Sequence, residues 1–261
     1  VEATALEFGP ADRALDIIFL HANGFNAMTY RHVLAPLGQD QRILAVDLRG
    51  HGPSRLPTEL DGHSWKIYAD DLLGVIRSIG ETPRIVAGHS MGATAALLAL
   101  PKMTGAALPK LVLFDPVIAP RSSYGEAPDY DTQIARAALK RNDDFASAAD
   151  AFESYQGRGA FRTWPDDMLR DYLEDGLVTE GGRWRLACTP QWEAANFAAY
   201  CVADPYPALD NPPTHISIFR AETNSTCHFD PGAPLLDLSI VPGTTHFLPM
   251  EKPEIVQQAL N

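Results

Sequence analysis

The stretch RIVAGHSMGATAALLAL, from Arg84 to Leu100, decides the architecture. Its first part, Arg84–Ala87, is a short apolar run that suits a buried strand. Its second part, Met91–Leu100, is rich in Ala and Leu, and Pro101 closes it, as expected of a helix. Between them stands Gly88-His89-Ser90-Met91-Gly92. A Gly-x-Ser-x-Gly pentapeptide between strand and helix forms a tight, strained turn with little room for side chains, and Gly88 and Gly92 supply that room. The turn lifts the Ser90 hydroxyl above the strand end and sets it at a helix N-terminus. Backbone N–H groups there favour developing negative charge. Ser90 is thus a candidate nucleophile.

Working outward, Asp16–Leu20, Arg42–Val46 and Lys110–Phe114 are further strand candidates. They lack polar alternation, which suits a parallel sheet covered on both faces. Ser64 can cap a helix in which Ile67, Leu72, Val75, Ile76 and Ile79 recur near helical spacing and which Gly80 ends. Such alternation predicts an α/β fold with right-handed crossovers. From about Val117 to Ala208 the strand signals disappear. Asp131–Lys140, Phe145–Tyr155, Pro165–Leu173 and Gln191–Cys201 read as helices, and aromatics are dense among them. Strands return at His215–Phe219 and Leu236–Val241, and a last helix spans Pro253–Leu260. The expected organisation is a core of residues 1-116 and 209-261 interrupted by a helical cap, 117-208, whose aromatics mostly fill its own interior.

Composition narrows the function. The chain has 261 residues, 46% apolar and 21% charged, as in ordinary globular proteins. Its 21 Lys and Arg against 33 Asp and Glu give a net charge of -12, which repels phosphate backbones and anionic lipid. Neither a nucleic-acid partner nor a membrane is expected. No apolar run approaches the roughly 18–20 residues of a membrane span, and the first residues, VEATALEFGP, have neither the basic nor the apolar part of a signal peptide. The 3 cysteines form no CxxC pair, so reduced thiols in a cytoplasmic protein are expected. No HExxH or paired-ligand spacing occurs; no metal and no cofactor are expected.

The landmarks in their order resemble the α/β-hydrolase superfamily, in the branch with a helical cap, over essentially the whole chain. His21-Ala22-Asn23-Gly24-Phe25 follows one strand, Asp47-Leu48-Arg49-Gly50-His51-Gly52 the next, then come the Ser90 turn and a C-terminal Thr245-His246-Phe247. The resemblance implies an α/β-hydrolase fold, mostly parallel, with helices on both faces. It makes these segments the oxyanion loop, a structural turn, the nucleophile and the base. A serine hydroxyl needs such a base within hydrogen-bond reach, and among 8 histidines the resemblance selects His246. His89 and His21 are expected to be structural, and Asp47, Arg49 and His51 to be loop scaffolding.

The acid that orients the imidazole is less direct. The resemblance puts it after the penultimate strand, where this chain has Asn224, and an amide cannot stabilise imidazolium as a carboxylate does. Asp115, at the end of the strand after the nucleophile helix, is the first substitute, as in haloalkane dehalogenases. Glu222 is the second. The oxyanion donors implied are the Met91 and Asn23 backbone amides, with the Asn23 side chain as a third donor or a substrate contact. Tyr30 and Trp192, with Arg31 and Glu193, are candidates to line the substrate pocket. The expected activity is hydrolysis of a carboxylic ester or related acyl bond of a small, apolar molecule through an acyl-enzyme on Ser90. Carbon–carbon bond hydrolysis, a cofactor-free peroxidase-like activity and a non-catalytic small-molecule receptor are the alternatives on the same fold.

Overall fold

The computed structural model describes residues 3–105, 107–230 and 232–261. In chain order the strands are β1 (Thr4–Phe8), β2 (Ile17–Leu20), β3 (Ile43–Asp47), β4 (Ile85–His89), β5 (Lys110–Phe114), β6 (Asp144–Phe145), β7 (Leu177–Glu180), β8 (Arg183–Leu186), β9 (Ile216–Ala221) and β10 (Leu236–Val241). Seven of them form one sheet in the order β1-β3-β2-β4-β5-β9-β10. The β1 strand runs antiparallel to β3, and every other neighbouring pair is parallel.

The helices are α1 (Arg31–Leu34), α2 (Lys66–Ile79), α3 (Met91–Ala99), α4 (Gln133–Leu139), α5 (Ala148–Tyr155), α6 (Asp166–Gly176), α7 (Pro190–Ala198), α8 (Tyr206–Asp210), α9 (Leu248–Glu251) and α10 (Pro253–Leu260). All four residues of β2 are buried because successive side chains enter different cores. Ile18 and Leu20 join Leu72, Leu97 and Leu113 on one face. Ile17 and Phe19 join Leu34, Phe114 and Leu260 on the other. Burial on both faces is why the parallel strands are legible as unbroken apolar runs. The edge strand β1 alternates half-buried with exposed residues instead.

Register makes the strand ends flush. Leu20 pairs with Gly88, His89 with Phe114, Phe114 with Phe219, and Ala221 with Val241. The loops after β2, β4, β5, β9 and β10 therefore leave the sheet along one edge, where open α/β sheets place their ligands.

The insertion between β5 and β9 gives no strand to this sheet, but it is not purely helical. It carries a small antiparallel sheet in the order β6-β8-β7. Gly181 and Gly182, at φ 56° and 78°, turn β7 into β8; positive φ at both central residues is what a tight two-residue hairpin demands. Phe145 lies in β6 opposite Trp184, so α5 starts only at Ala148, after Ser147 accepts the Asp150 N–H with its hydroxyl. The insertion's aromatics do pack on one another, with Phe161 and Tyr172 ring centroids 4.8 Å apart. They also reach the sheet loops: Trp164 lies 5.3 Å from Phe25 and 6.5 Å from Phe247. Among the described residues no helix is long and apolar enough to cross a membrane.

Candidate active site

Ser90 sits between β4 and α3 at φ 55°, ψ -120°, a backbone conformation strained for any side chain. Its neighbours explain the flanking glycines. A Cβ at Gly88 would lie 2.7 Å from the Gly92 carbonyl carbon, and one at Gly92 would lie 2.6 Å from the His21 oxygen. The hydroxyl meets the imidazole of His246, with Ser90 Oγ 2.9 Å from His246 Nε2. On the far side of the ring, His246 Nδ1 lies 2.7 Å from Asp115 Oδ2. A carboxylate at Nδ1 requires a proton there, which leaves Nε2 free to accept from Ser90. Residues distant in sequence thus converge on one chain of hydrogen bonds.

Asp115 is fully buried and, at φ 42°, itself left-handed. Its carboxylate accepts the Ala221 N–H at 2.9 Å, the Ser225 hydroxyl at 2.6 Å and the Thr226 N–H at 3.1 Å. Burial alone would raise its pKa, but the hydrogen bond and charge of His246, with the Ser225 and Ala221 donors, hold it below the usual carboxylate range. The segment where the resemblance puts the acid has become the donor shell of an acid on the neighbouring strand. Asn224 lies there at φ 53°, while Glu222 accepts the Gly243 N–H at 2.8 Å. Glu222 is bonded to that turn rather than to His246, so the geometry favours Asp115 over it.

Three more histidines act as backbone braces. His21 Nδ1 donates to the Ala22 carbonyl, and its Nε2 accepts the Leu48 N–H. His51 Nδ1 donates to the Arg49 carbonyl, and its Nε2 accepts the Gly24 N–H. Tyr30 receives the Ala22 N–H and donates to His89 Nδ1 at 2.7 Å, while His89 Nε2 donates to the His246 carbonyl at 2.7 Å. Each ring needs one bare nitrogen, and burial supplies it. Burial lowers His21 well below the ordinary imidazole value, His51 to about 4 and His89 to about 3.

These bonds revise the expected pocket. Tyr30 is wholly buried and its hydroxyl is committed to Ala22 and His89, so it braces the loop after β2 and, through His89, the His246 backbone instead of lining a pocket. Trp192 is 2% exposed; its indole N–H donates to the Arg49 carbonyl and its ring packs on His63. It joins α7 to the turn after β3 rather than facing a substrate. Arg31 pairs with Asp171 at 2.7 Å, and Arg141 pairs with Glu193 at 2.9 Å. Asp47 accepts the Ala27 N–H and Arg49 pairs with Asp71, so both hold the turns around the loop.

In the loop after β2, the Asn23 side chain does not take the part expected of it, a third donor or a substrate contact. The Asn23 amide is committed to α7: its Nδ2 donates to the Glu193 carbonyl at 3.0 Å, and its Oδ1 accepts from Asn196 Nδ2 at 2.9 Å. Among the described residues, neither the Asn23 nor the Met91 backbone N–H is satisfied by the protein. Asn196, Arg141, Ser225 and Thr226 were not legible as site residues. Asn196 leaves one trace, a polar residue inside the Ala-rich helix AANFA. A cleft of about 320 Å³ opens beside the base, lined by Ala160, Arg162, Thr163, Asn224, His246 and Phe247 among others.

The fold and this constellation define a class. The sequence model of the alpha/beta hydrolase family matches residues 17–259, and the chain belongs to that family. One similar protein is 2-(acetamidomethylene)succinate hydrolase of Mesorhizobium japonicum, 28% identical over 254 residues that cover 94% of this chain and 86% of that one. Among solved structures, the peroxisomal alpha-beta-hydrolase Lpx1 of Saccharomyces cerevisiae superposes with a TM-score of 0.80 at 18% identity, covering 98% of this chain and 79% of that one. The structure of E-2-(acetamidomethylene)succinate hydrolase gives 0.74 at 23% identity, covering 97% and 91%. At these identities the two structures speak for the fold.

Proposed function

We propose that this protein is a serine hydrolase that cleaves a carboxylic ester or related acyl bond of a small molecule through an acyl-enzyme on Ser90. The observation that carries the reading is the continuous relay Ser90 Oγ, His246 Nε2, His246 Nδ1, Asp115 Oδ2, with links of 2.9 and 2.7 Å. In this reading His246 takes the Ser90 proton as Oγ attacks the carbonyl carbon. Asp115 holds the Nδ1 proton and stabilises the imidazolium. The Met91 and Asn23 N–H groups bind the oxyanion, an interaction whose loss costs about 10²–10³ in rate per donor. His246 then protonates the leaving group. Water, deprotonated by the same ring, cleaves the acyl-enzyme and regenerates Ser90. Residues 117–208 serve as the cap over this edge, and the substrate reaches Ser90 between the cap and the His246 loop.

A second reading, in which the scissile bond joins an acyl group to nitrogen, rests on the acetamido compound in the name of the Mesorhizobium relative. The relay can protonate an amine leaving group as it does an alcohol, so the two readings differ in substrate and not in machinery. The test is turnover of short p-nitrophenyl esters and matched N-acyl compounds, with Ser90→Ala as control. The reading requires stoichiometric fluorophosphonate labelling of the wild type and a loss of at least about 10⁴-fold in the variant. Full activity in Ser90→Ala, or a wild type inert to the label, rejects it.

A further inference from the structure

We infer that α7 of the insertion sets the oxyanion loop through Asn196, which is a positioning residue for the reaction. The inference rests on the proposed function, because it needs the Asn23 N–H to be an oxyanion donor.

Asn196 is fully buried on a helix otherwise lined there by alanines. A buried amide must be satisfied on both ends, and here each end goes to a different part of the chain. Oδ1 accepts from Tyr68 at 2.6 Å and from His63 Nε2 at 2.8 Å. Nδ2 donates to Asn23 Oδ1 at 2.9 Å. The Asn196 backbone carbonyl also accepts the Trp65 indole N–H at 3.0 Å. The residue is therefore anchored to the entry of α2 on one side and presents a donor to the loop after β2 on the other.

Glu193, one helical turn earlier, completes the grip. Its carbonyl accepts the other end of the Asn23 amide. Its carboxylate receives Arg141 Nη1 on both oxygens at 2.9 Å, and Arg141 is held in turn by the Tyr155 and Tyr172 hydroxyls. The carboxylate abuts the loop directly: a Cβ at Gly24 would lie 2.6 Å from Glu193 Oε1. The Asn23 amide is thus held at both ends by residues i and i+3 of one helix. Three covalent bonds separate its carbon from the backbone N–H to which the proposed function assigns the oxyanion. His51 orients the same loop from the other side through the Gly24 N–H. His51 Nε2 is already an acceptor, so it cannot also donate to Asn23 Oδ1, and Asn196 supplies that donor.

The decisive variant is Asn196→Asp, which keeps an oxygen for Tyr68 and His63 and replaces the donor to Asn23 with a second oxygen. Turnover of the activated ester is expected to fall about 10²-fold with KM nearly unchanged, since misplacing a donor by about 1 Å costs that much. The low-field proton resonance of the His246–Asp115 hydrogen bond should persist, because the relay is untouched. Asn23→Ala, which leaves every core contact of Asn196 in place, should lose kcat to a similar extent. It serves as the second route should Asn196→Asp fold poorly. In the double variant the loss should match that of Asn23→Ala alone. Wild-type kcat in a folded Asn196→Asp, or a double variant whose loss is the product of the two single losses, overturns the inference. A wild type without Ser90-dependent turnover overturns the proposed function and this inference together, and is recognised before any variant is compared.

Discussion

Two parts of the site stand on the same sheet edge yet are held in different ways. Ser90, Asp115 and His246 are fixed by the sheet and its own loops: the elbow strain at Ser90, the 221–226 segment around Asp115, and His89 on the His246 carbonyl. Asn23 also leaves a sheet strand, but its side chain is tied to α7 of the insertion. The relay is thus a property of the core alone, whereas the loop proposed to bind the oxyanion is shared between core and insertion. Substitutions in the core should break proton transfer, and substitutions at the insertion contact should weaken transition-state binding with proton transfer intact.

The sharpest break of this contrast is Asp115→Asn. Replacing the carboxylate leaves the wrong tautomer on the imidazole, and kcat is expected to fall about 10⁴-fold. Glu222→Gln, at a side chain bonded to the Gly243 turn rather than to His246, should stay within about twofold of wild type. Steady-state kinetics on the ester settle the pair; equal losses contradict the assignment.

Gly24→Ala probes the insertion side. The added methyl meets the Glu193 carboxylate, and alanine at φ 75° is strained in addition. The expectation is a kcat loss of about 10²-fold at nearly constant KM, with the His246–Asp115 low-field resonance retained. Loss of that resonance would show that the two parts of the site are not independently held.

The smallest effect is on stability with pH. The folded chain keeps His21, His51 and His89 neutral, whereas unfolded histidines take up protons near 6.5. Their contribution is complete above about pH 6.5 and is lost as pH falls toward about 4 and below. Asp47, Asp171 and Asp175 run the other way, because burial pushes their carboxyls up, that of Asp47 to about 7, whereas the neutral His63 and the depressed carboxyl of Asp115 add to the decline. The thermal midpoint should decline from pH 6.5 to 4, by several degrees for each unfavourable proton and about 2–4 °C per kcal/mol for a chain of this size. A flat profile contradicts the neutral braces.

The parallel strands and the Ser90 turn were readable because double-sided burial and a sterically forced pentapeptide leave local marks. The strands Lys110–Phe114 and Leu236–Val241 fall where their apolar runs lie. The small sheet is faint in the sequence: Gly181-Gly182 between LVTE and RWRL is a hairpin signal, but two-residue β6 offers no periodicity at all. Strand β1, alternating and half exposed, was missed for a related reason. Tyr30 and Trp192 were expected at a pocket because position along the chain suggested it. Their burial depends on partners 59 and 143 residues away. The amide at Asn224 points to Asp115 as the acid, but the donors that stabilise it, Ser225 and Thr226, come beside it only once β5 and β9 pair.

The neutral imidazoles of His21, His51 and His89 each offer one donor and one acceptor, as a peptide group does. Placed at or just past the strand ends, they carry the sheet's ladder of cross-links outward into segments that have no ladder of their own. The loops around Ser90 and His246 thereby inherit the stiffness of the sheet.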